Sequence, residues 1–348
     1  MSIALLVALF LLVALTGFVA HRASLCTVRA VAEILNAGTS HMLASFFKAA
    51  LWAALVYGLL LIIVTPQTTR FAAFEPRAVA VVGGFVFGLG AALNGGCSYS
   101  TLQRIADGDL EGLASIVGIM LGMVTWSGFD ASLALTRPIE ATALWVEIGA
   151  AAPWLLGVLA LLALIEVTRL WRHAAARKPW LLLAAPSYRV GTAAAVIGVC
   201  GGLLYAVLGA WSYTGTLRRA IDAAYRMMPG PMALPWWLFA ALFIGMVASC
   251  LQRGSFTLRW RPRGVLAPRL GGGVLMGGGV LMGVGASLVP GGNDTLILTG
   301  LPALSGWAVA AYLALVLGVA AGLGALHLRG KPYPNVACVD GVCIERPR

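Results

Sequence analysis

Long apolar runs, separated by short polar or glycine-rich connections, recur along the whole chain. A bilayer core needs roughly 20 consecutive apolar residues per helix. Runs near that length lie at about 2–20, 41–64, 78–94, 112–128, 142–168, 190–211, 234–250, 270–289 and 305–328. The pattern predicts nine transmembrane helices, of which 78–94 and 112–128 are short and Gly-rich enough to be broken or re-entrant. The first run has no Lys or Arg before it, and Phe18-Val19-Ala20 offers no small-x-small cleavage site. It therefore reads as a membrane helix and not as a signal peptide. The fold class is an all-α integral membrane protein: one transmembrane domain over residues 1–328, then a polar tail over 329–348.

Composition points the same way. The 348 residues are 60% apolar and 11% charged, with a mean hydropathy of +0.90. Soluble domains carry about 25% charged residues, so lipid must be the solvent for much of this surface. The net charge of +11 does not indicate nucleic-acid binding, because the basic residues sit between apolar spans and form no patch. With nine crossings, 17 Lys and Arg fall on one side, or 18 with Lys48, and six on the other. The basic-rich side is then cytoplasmic. That puts the N-terminus outside and the C-terminus in the cytoplasm of a multi-pass membrane protein.

A weak internal repeat accompanies the spans. Gly88-Leu89-Gly90-Ala91-Ala92-Leu93 is echoed by Gly283-Val284-Gly285-Ala286-Ser287-Leu288, and the pairs Gly95-Gly96 and Gly291-Gly292 follow. Arg22-Ala23-Ser24-Leu25-Cys26 is echoed by Arg253-Gly254-Ser255-Phe256-Thr257. The second copy is shorter by about one crossing, which inverts it relative to the first. Pseudo-repeats over about 1–128 and 234–328 are expected. Opposed repeats with Gly-interrupted segments at matching places point to a transporter binding site.

Irregular backbone at membrane depth survives only where protein or a water-filled cavity covers it. Asn94-Gly95-Gly96-Cys97-Ser98-Tyr99-Ser100-Thr101 is such a stretch. A helix starting there would offer free amides to an anion, with hydroxyl donors on Ser98, Ser100 and Thr101. Cys97 would be a weak S–H donor at its mouth, or a small buried hydrophobe. Ser24 could cap a helix from about Cys26 to Leu35, setting Cys26 between Arg22 and Arg29 where a thiolate or anion is favoured. The alternative is an interfacial helix whose Cys only packs. Asn293 is the counterpart of Cys97 in the second Gly-Gly loop, and Asn293-Asp294-Thr295 reads equally as a helix N-cap. Cys200 and Cys250 lie in apolar spans and read as core. Cys338 and Cys343 lie in the polar tail, as accessory thiols or as part of a disordered end.

The four His residues are scattered without metal-ligand spacing, and no nucleotide-binding loop is present. No metal, cofactor or enzymatic role is expected. Acids are nearly missing from the middle of the spans, whereas cation and proton carriers place carboxylates at depth. An anion or neutral substrate fits better.

At Ser24-Leu25-Cys26 and at the Gly-Leu-Gly segment ending in Gly95-Gly96-Cys97, the sequence resembles the YeeE/YedE family of sulfur-compound transporters. The resemblance covers nearly the whole chain. It implies a bacterial inner-membrane protein of about nine spans, narrowed at mid-membrane, that takes up thiosulfate past a few cysteines. It also implies Cys97 as the central thiol, Cys26 as the one nearer the cytoplasm, and a small cytoplasmic sulfur-carrier protein as a possible partner. The third family cysteine falls at Asn293, which can donate hydrogen bonds but cannot exchange sulfur. The expected function is uptake of thiosulfate or a related sulfur anion along Cys97, Cys26, Asn293, Gly95, Gly96 and Ser98. The alternatives are a membrane thiol oxidoreductase or sulfurtransferase, or a sulfur-relay sensor working through Cys338 and Cys343. The absence of a C-x-x-C pair counts against the enzyme.

Overall fold

The computed structural model describes residues 2–64, 70–75, 77–133, 135–174, 185–225, 227, 233–260 and 271–345. Parts of the basic connections at 169–189 and 253–269, Arg226, and the end of the tail lie outside these residues. Helix α1 (Ile3–Arg22) starts at Ser2, whose hydroxyl accepts from the Leu5 amide, and ends with His21 and Arg22 near the negative end of its dipole. Helix α2 (Thr27–Ala37) stops at Gly38, which is in the left-handed conformation that terminates helices. Helix α3 (His41–Val64) follows, its first amides on His41 and Met42 each donating at 2.9 Å to the buried Glu33 carboxylate.

The same order, long helix then short helix then long helix, occurs three more times. Helix α4 (Ala78–Asn94) leads through a Gly-Gly turn to α5 (Ser98–Ala106) and α6 (Gly112–Leu133). After the one-turn α7 (Leu144–Glu147) and α8 (Ala152–Ala174) come α9 (Val190–Leu208), α10 (Tyr213–Tyr225) and α11 (Ala233–Arg253). Last are α12 (Gly271–Leu288), the turn α13 (Asn293–Thr295), which continues as a π-turn over Leu296–Gly300, and α14 (Gly306–Leu328). Two antiparallel strand pairs complete the described chain: β1 (Arg70–Glu75) with β2 (Arg137–Thr142), across α4 to α6, and the hairpin of β3 (Val336–Val339) with β4 (Val342–Glu345).

Among the described residues, eight helices are long and apolar enough to cross a membrane, and a ninth is formed if α12 and its bent continuation count as one span. The long helices pair by backbone contact: α1 with α11, α3 with α9, α4 with α14 and α12, and α6 with α12. Glycine makes this approach possible. A Cβ on Gly17 would run into the Leu242 carbonyl, and one on Gly245 into that of Ala14. Small residues at such crossings let dispersion replace the hydrophobic effect, which lipid does not supply between helices. The outer surface stays apolar, as with Trp154 and Leu161 of α8, 81% and 57% exposed.

Several expectations need correction. Residues 112–128 are not re-entrant but belong to an unbroken 22-residue helix. The breaks come after Asn94 and after Leu288, where successive Gly residues end the helix; the second is a bend of 42°. Helix α8 begins at Ala152, because residues 137–142 pair as strand β2. The short polar helix α10 occupies what the apolar pattern predicts as a connection between 211 and 234. The tail is no disordered end: β3 and β4 fold into a hairpin against α2.

Candidate functional site

Two short helices aim their starts at one place. Gly95, at φ 72°, ends α4 and turns the chain so that Cys97 becomes the cap residue of α5. No side-chain bond from Cys97 consumes the first α5 amides. A Cβ on Gly96 would press on the Ser100 hydroxyl, which would have to turn away. Asn94 braces the turn from inside. Its NH2 donates at 2.8 Å to the Gly96 carbonyl and at 2.8 Å to Thr101, and its oxygen accepts from Ser115 of α6.

Cys26 is the cap residue of α2, in extended conformation. Ser24 does not cap this helix. It adopts a left-handed φ of 51°, and the cap passes two residues on. Gln103 of α5 donates to the Leu25 carbonyl at 3.2 Å, tying the two helix starts together. The Cys26 Sγ contacts the Ser100 hydroxyl at 3.2 Å and neighbours the Cys97 thiol. Backbone amides of Arg29 and of Ser100 and Thr27 interact with the Cys26 and Cys97 sulfurs respectively. The thiol pair therefore sits where two helix dipoles and several N–H groups favour negative charge. Both thiols are fully buried.

The second Gly-Gly turn completes the ring. Gly291, at φ 127°, and Gly292 bring Asn293 to the first position of α13, so that Gly292 and not Asn293 is the cap residue. Asn293 Oδ1 accepts from Ser98 at 3.0 Å, a contact between residues 195 apart in sequence. Asp294 Oδ1 accepts from the Thr214 hydroxyl of α10 at 2.5 Å, and Gly292 donates to that same hydroxyl at 2.7 Å. Thus Cys26, Cys97, Ser98, Asn293 and the turn at Gly95 and Gly96 form one cluster. Asn94, Asp294 and Thr214 belong to it as well. Asn94 and Asp294 share one signal in the sequence, a polar residue beside a Gly pair within an apolar run; Thr214 has none.

Space is narrow on both sides. A cavity of about 50 Å³ is lined by Cys97, Tyr99, Asn293, Asp294 and apolar neighbours. A second, of about 20 Å³, shares Tyr99, Asp294 and Leu298 with it and adds Trp211, Ser212 and Tyr213. These volumes hold only a few waters. The Tyr99 hydroxyl is buried without a hydrogen-bond partner among the described residues, while Tyr312 neighbours Thr27 and Tyr213 neighbours Ser98. Beside Ser24, a larger polar cavity of about 400 Å³ is lined by Arg29, Asp107, Arg253, Arg259 and Glu345.

Other expected participants lie elsewhere. Arg22 is 1% exposed and locked to Ser249, Gln252 and the Ala185 carbonyl, stacked on Phe18 and Tyr188. It therefore does not flank the Cys26 thiol as an anion-binding charge. Arg29 does reach the large cavity, where it pairs with Glu345 at 2.9 Å. Cys200 and Cys250 are buried. Cys338 and Cys343 are not free accessory thiols: they are joined as a disulfide across the terminal hairpin. The fold gathers His21, Asp107 and Cys250, but both His21 ring nitrogens are occupied, by Ser249 and Asp107. Glu33 lies by the disulfide sulfurs, yet its carboxylate is consumed in capping α3. Neither set offers the free donors that a metal needs.

A family model described as sulphur transport matches residues 22–321, most of the chain. No curated protein matches it.

Proposed function

The chain belongs to the sulphur-transport family, also called YeeE/YedE, and we propose that it carries thiosulfate, or a closely related oxidised sulfur anion, across the bacterial inner membrane into the cell. Membership makes it a transporter of a sulfur compound, and the helices make it multi-pass. The finer reading is supported above all by the thiol pair, Cys26 and Cys97, at two converging helix starts between cavities on either side. The path runs from the cavity at Trp211 and Tyr213, past Tyr99 and Asn293, between the thiols, to the Arg-lined vestibule. Donors are present at each stage. The Ser98 hydroxyl occupies Asn293 Oδ1, leaving its NH2 for an anion. The unpartnered hydroxyl of Tyr99 would bond a passing oxyanion and then return to that state.

Weak S–H and O–H donors suit conduction, because binding must be loose enough for release. A covalent sulfurtransferase route has less support, since Asn293 replaces the third thiol and cannot relay sulfur. The vestibule is the basic-rich face, lined by Arg29, Arg253 and Arg259. It is the natural face for the cytoplasm and for a sulfur-carrier protein to receive the anion. The four long–short–long units support reading the chain as two inverted halves, the second starting at α9 and not at residue 234. A sulfur-auxotrophic bacterial host supplied with thiosulfate as sole sulfur source tests the function. Growth only with the protein is expected; equal growth without it, when the host lacks other uptake routes, removes the reading.

A further inference from the structure

Asp294 is a carboxylate at membrane depth with no cationic partner. It is 6% exposed, follows the second Gly-Gly turn, and lines both of the small cavities. Its carboxylate accepts the Thr214 hydroxyl on Oδ1 at 2.5 Å and the Thr214 amide on Oδ2 at a long 3.4 Å, and the backbone amides of Asp294 and Thr295 also lie against it; none of these groups carries a positive charge. The groups facing Asp294 are Tyr213 from α10 and Tyr99 from α5, with Cys97 just before α5. The π-turn Leu296–Gly300 carries no titratable side chain. No Lys or Arg forms an ion pair with Asp294 among the described residues. Ionisable groups inside a membrane are costly and mark ion or proton pathways.

An anion crossing between the two cavities must pass this carboxylate. If ionised, Asp294 would repel it in a medium that screens poorly. A proton on Oδ2 removes the repulsion and turns the same group into one more O–H donor. We propose that Asp294 is the proton-binding site that couples anion influx to proton influx, an inference that rests on the transport reading above. Water in the outer cavity gives the proton to Oδ2, and the anion passes while the group is neutral. The proton then leaves to water on the vestibule side, so that one proton moves inward with each anion and no other bond changes.

A metal cation such as sodium is the competing occupant, since the Thr214 hydroxyl meets the carboxylate and the Ser212 and Thr295 hydroxyls meet each other beside it; a sodium gradient is therefore one arm of the test.

The full-length protein in liposomes, with a pH-sensitive dye inside and the membrane potential clamped at zero, tests this. External thiosulfate should acidify the lumen. One unit of external acidity should raise the steady-state thiosulfate accumulation about tenfold for one coupled proton. Asp294→Asn keeps the size and the Thr214 contact but cannot release a proton. It should carry thiosulfate only downhill and at a reduced rate, with no lumenal acidification and no response to the pH gradient. Thiosulfate uptake without acidification, acceleration by a sodium gradient in place of a proton gradient, or pH-driven accumulation in Asp294→Asn would each overturn the coupling and leave transport standing. No thiosulfate uptake by the intact protein overturns both.

Discussion

Asn293→Asp separates a residue that meets the substrate from one that only holds a turn. The substitution keeps an oxygen where Ser98 donates at 3.0 Å, so the link between the two Gly-Gly turns survives. It loses the NH2 group and places a carboxylate next to Asp294, at a position 3% exposed. Two unit charges about 4 Å apart at an effective dielectric of about 20 repel by about 4 kcal/mol. Against a passing anion that lowers occupancy of the site by roughly a thousandfold. Uptake of labelled thiosulfate by cells or liposomes should therefore fall to background, while the amount of protein in the membrane is unchanged. Asn293→Cys restores a weak donor of similar reach and should retain uptake. A purely structural Asn293 predicts the opposite, since Asp holds helix starts about as well as Asn. Full uptake by Asn293→Asp would take the residue out of the path.

Three further outcomes follow from the same structure. Cys97→Ala and Cys26→Ala should each abolish thiosulfate uptake with normal membrane insertion, whereas Cys200→Ala, buried in α9 away from both turns, should transport nearly normally; the comparison is read by uptake and membrane immunoblot. A reporter fused after Arg348 should be active only on the cytoplasmic side, as the asymmetry of Lys and Arg requires; a periplasmic reporter would reverse the direction assigned to the vestibule. Burial pushes the Asp107 carboxyl up, but hydrogen bonds from His21 and Ser255 overcome this and hold it below its usual value. A depressed carboxylate stabilises the fold above its unfolded value near pH 4, and that contribution is lost as pH falls through the folded value. Thermal unfolding in detergent should show this acid-side loss in the wild type and a smaller one in Asp107→Asn.

The spans were legible because apolar runs near 20 residues have few other uses, and the two Gly-Gly turns were legible because glycine pairs interrupt such runs. What escaped was set by distance in sequence. Helix α10 lies over Tyr213–Tyr225, where Thr, Arg and Asp interrupt the apolar pattern, so nothing at that scale marks it as part of a membrane core. Its role emerges only when Thr214 meets Asp294. Arg22 resembled an anion-binding charge because it stands near Cys26 in sequence. Its side chain instead runs back along α1 to Ser249 and Gln252. Asp294 reads in the sequence only as part of a helix start, and its lack of a cationic partner is visible only once α5 and α10 are packed around it. The tail hairpin depended on Cys338 facing Cys343 across β3 and β4, a register that spacing alone does not fix.

The central claim is that a sulfur anion crosses the membrane between Cys26 and Cys97. Uptake of sulfur-35 thiosulfate by liposomes holding the purified full-length protein, beside liposomes holding Cys97→Ala at equal density, tests it most directly. Saturable uptake by the wild type, reduced by excess unlabelled thiosulfate and lost in Cys97→Ala, is the predicted result. Equal uptake by the two proteins, or none by either when both are folded and inserted, would contradict it.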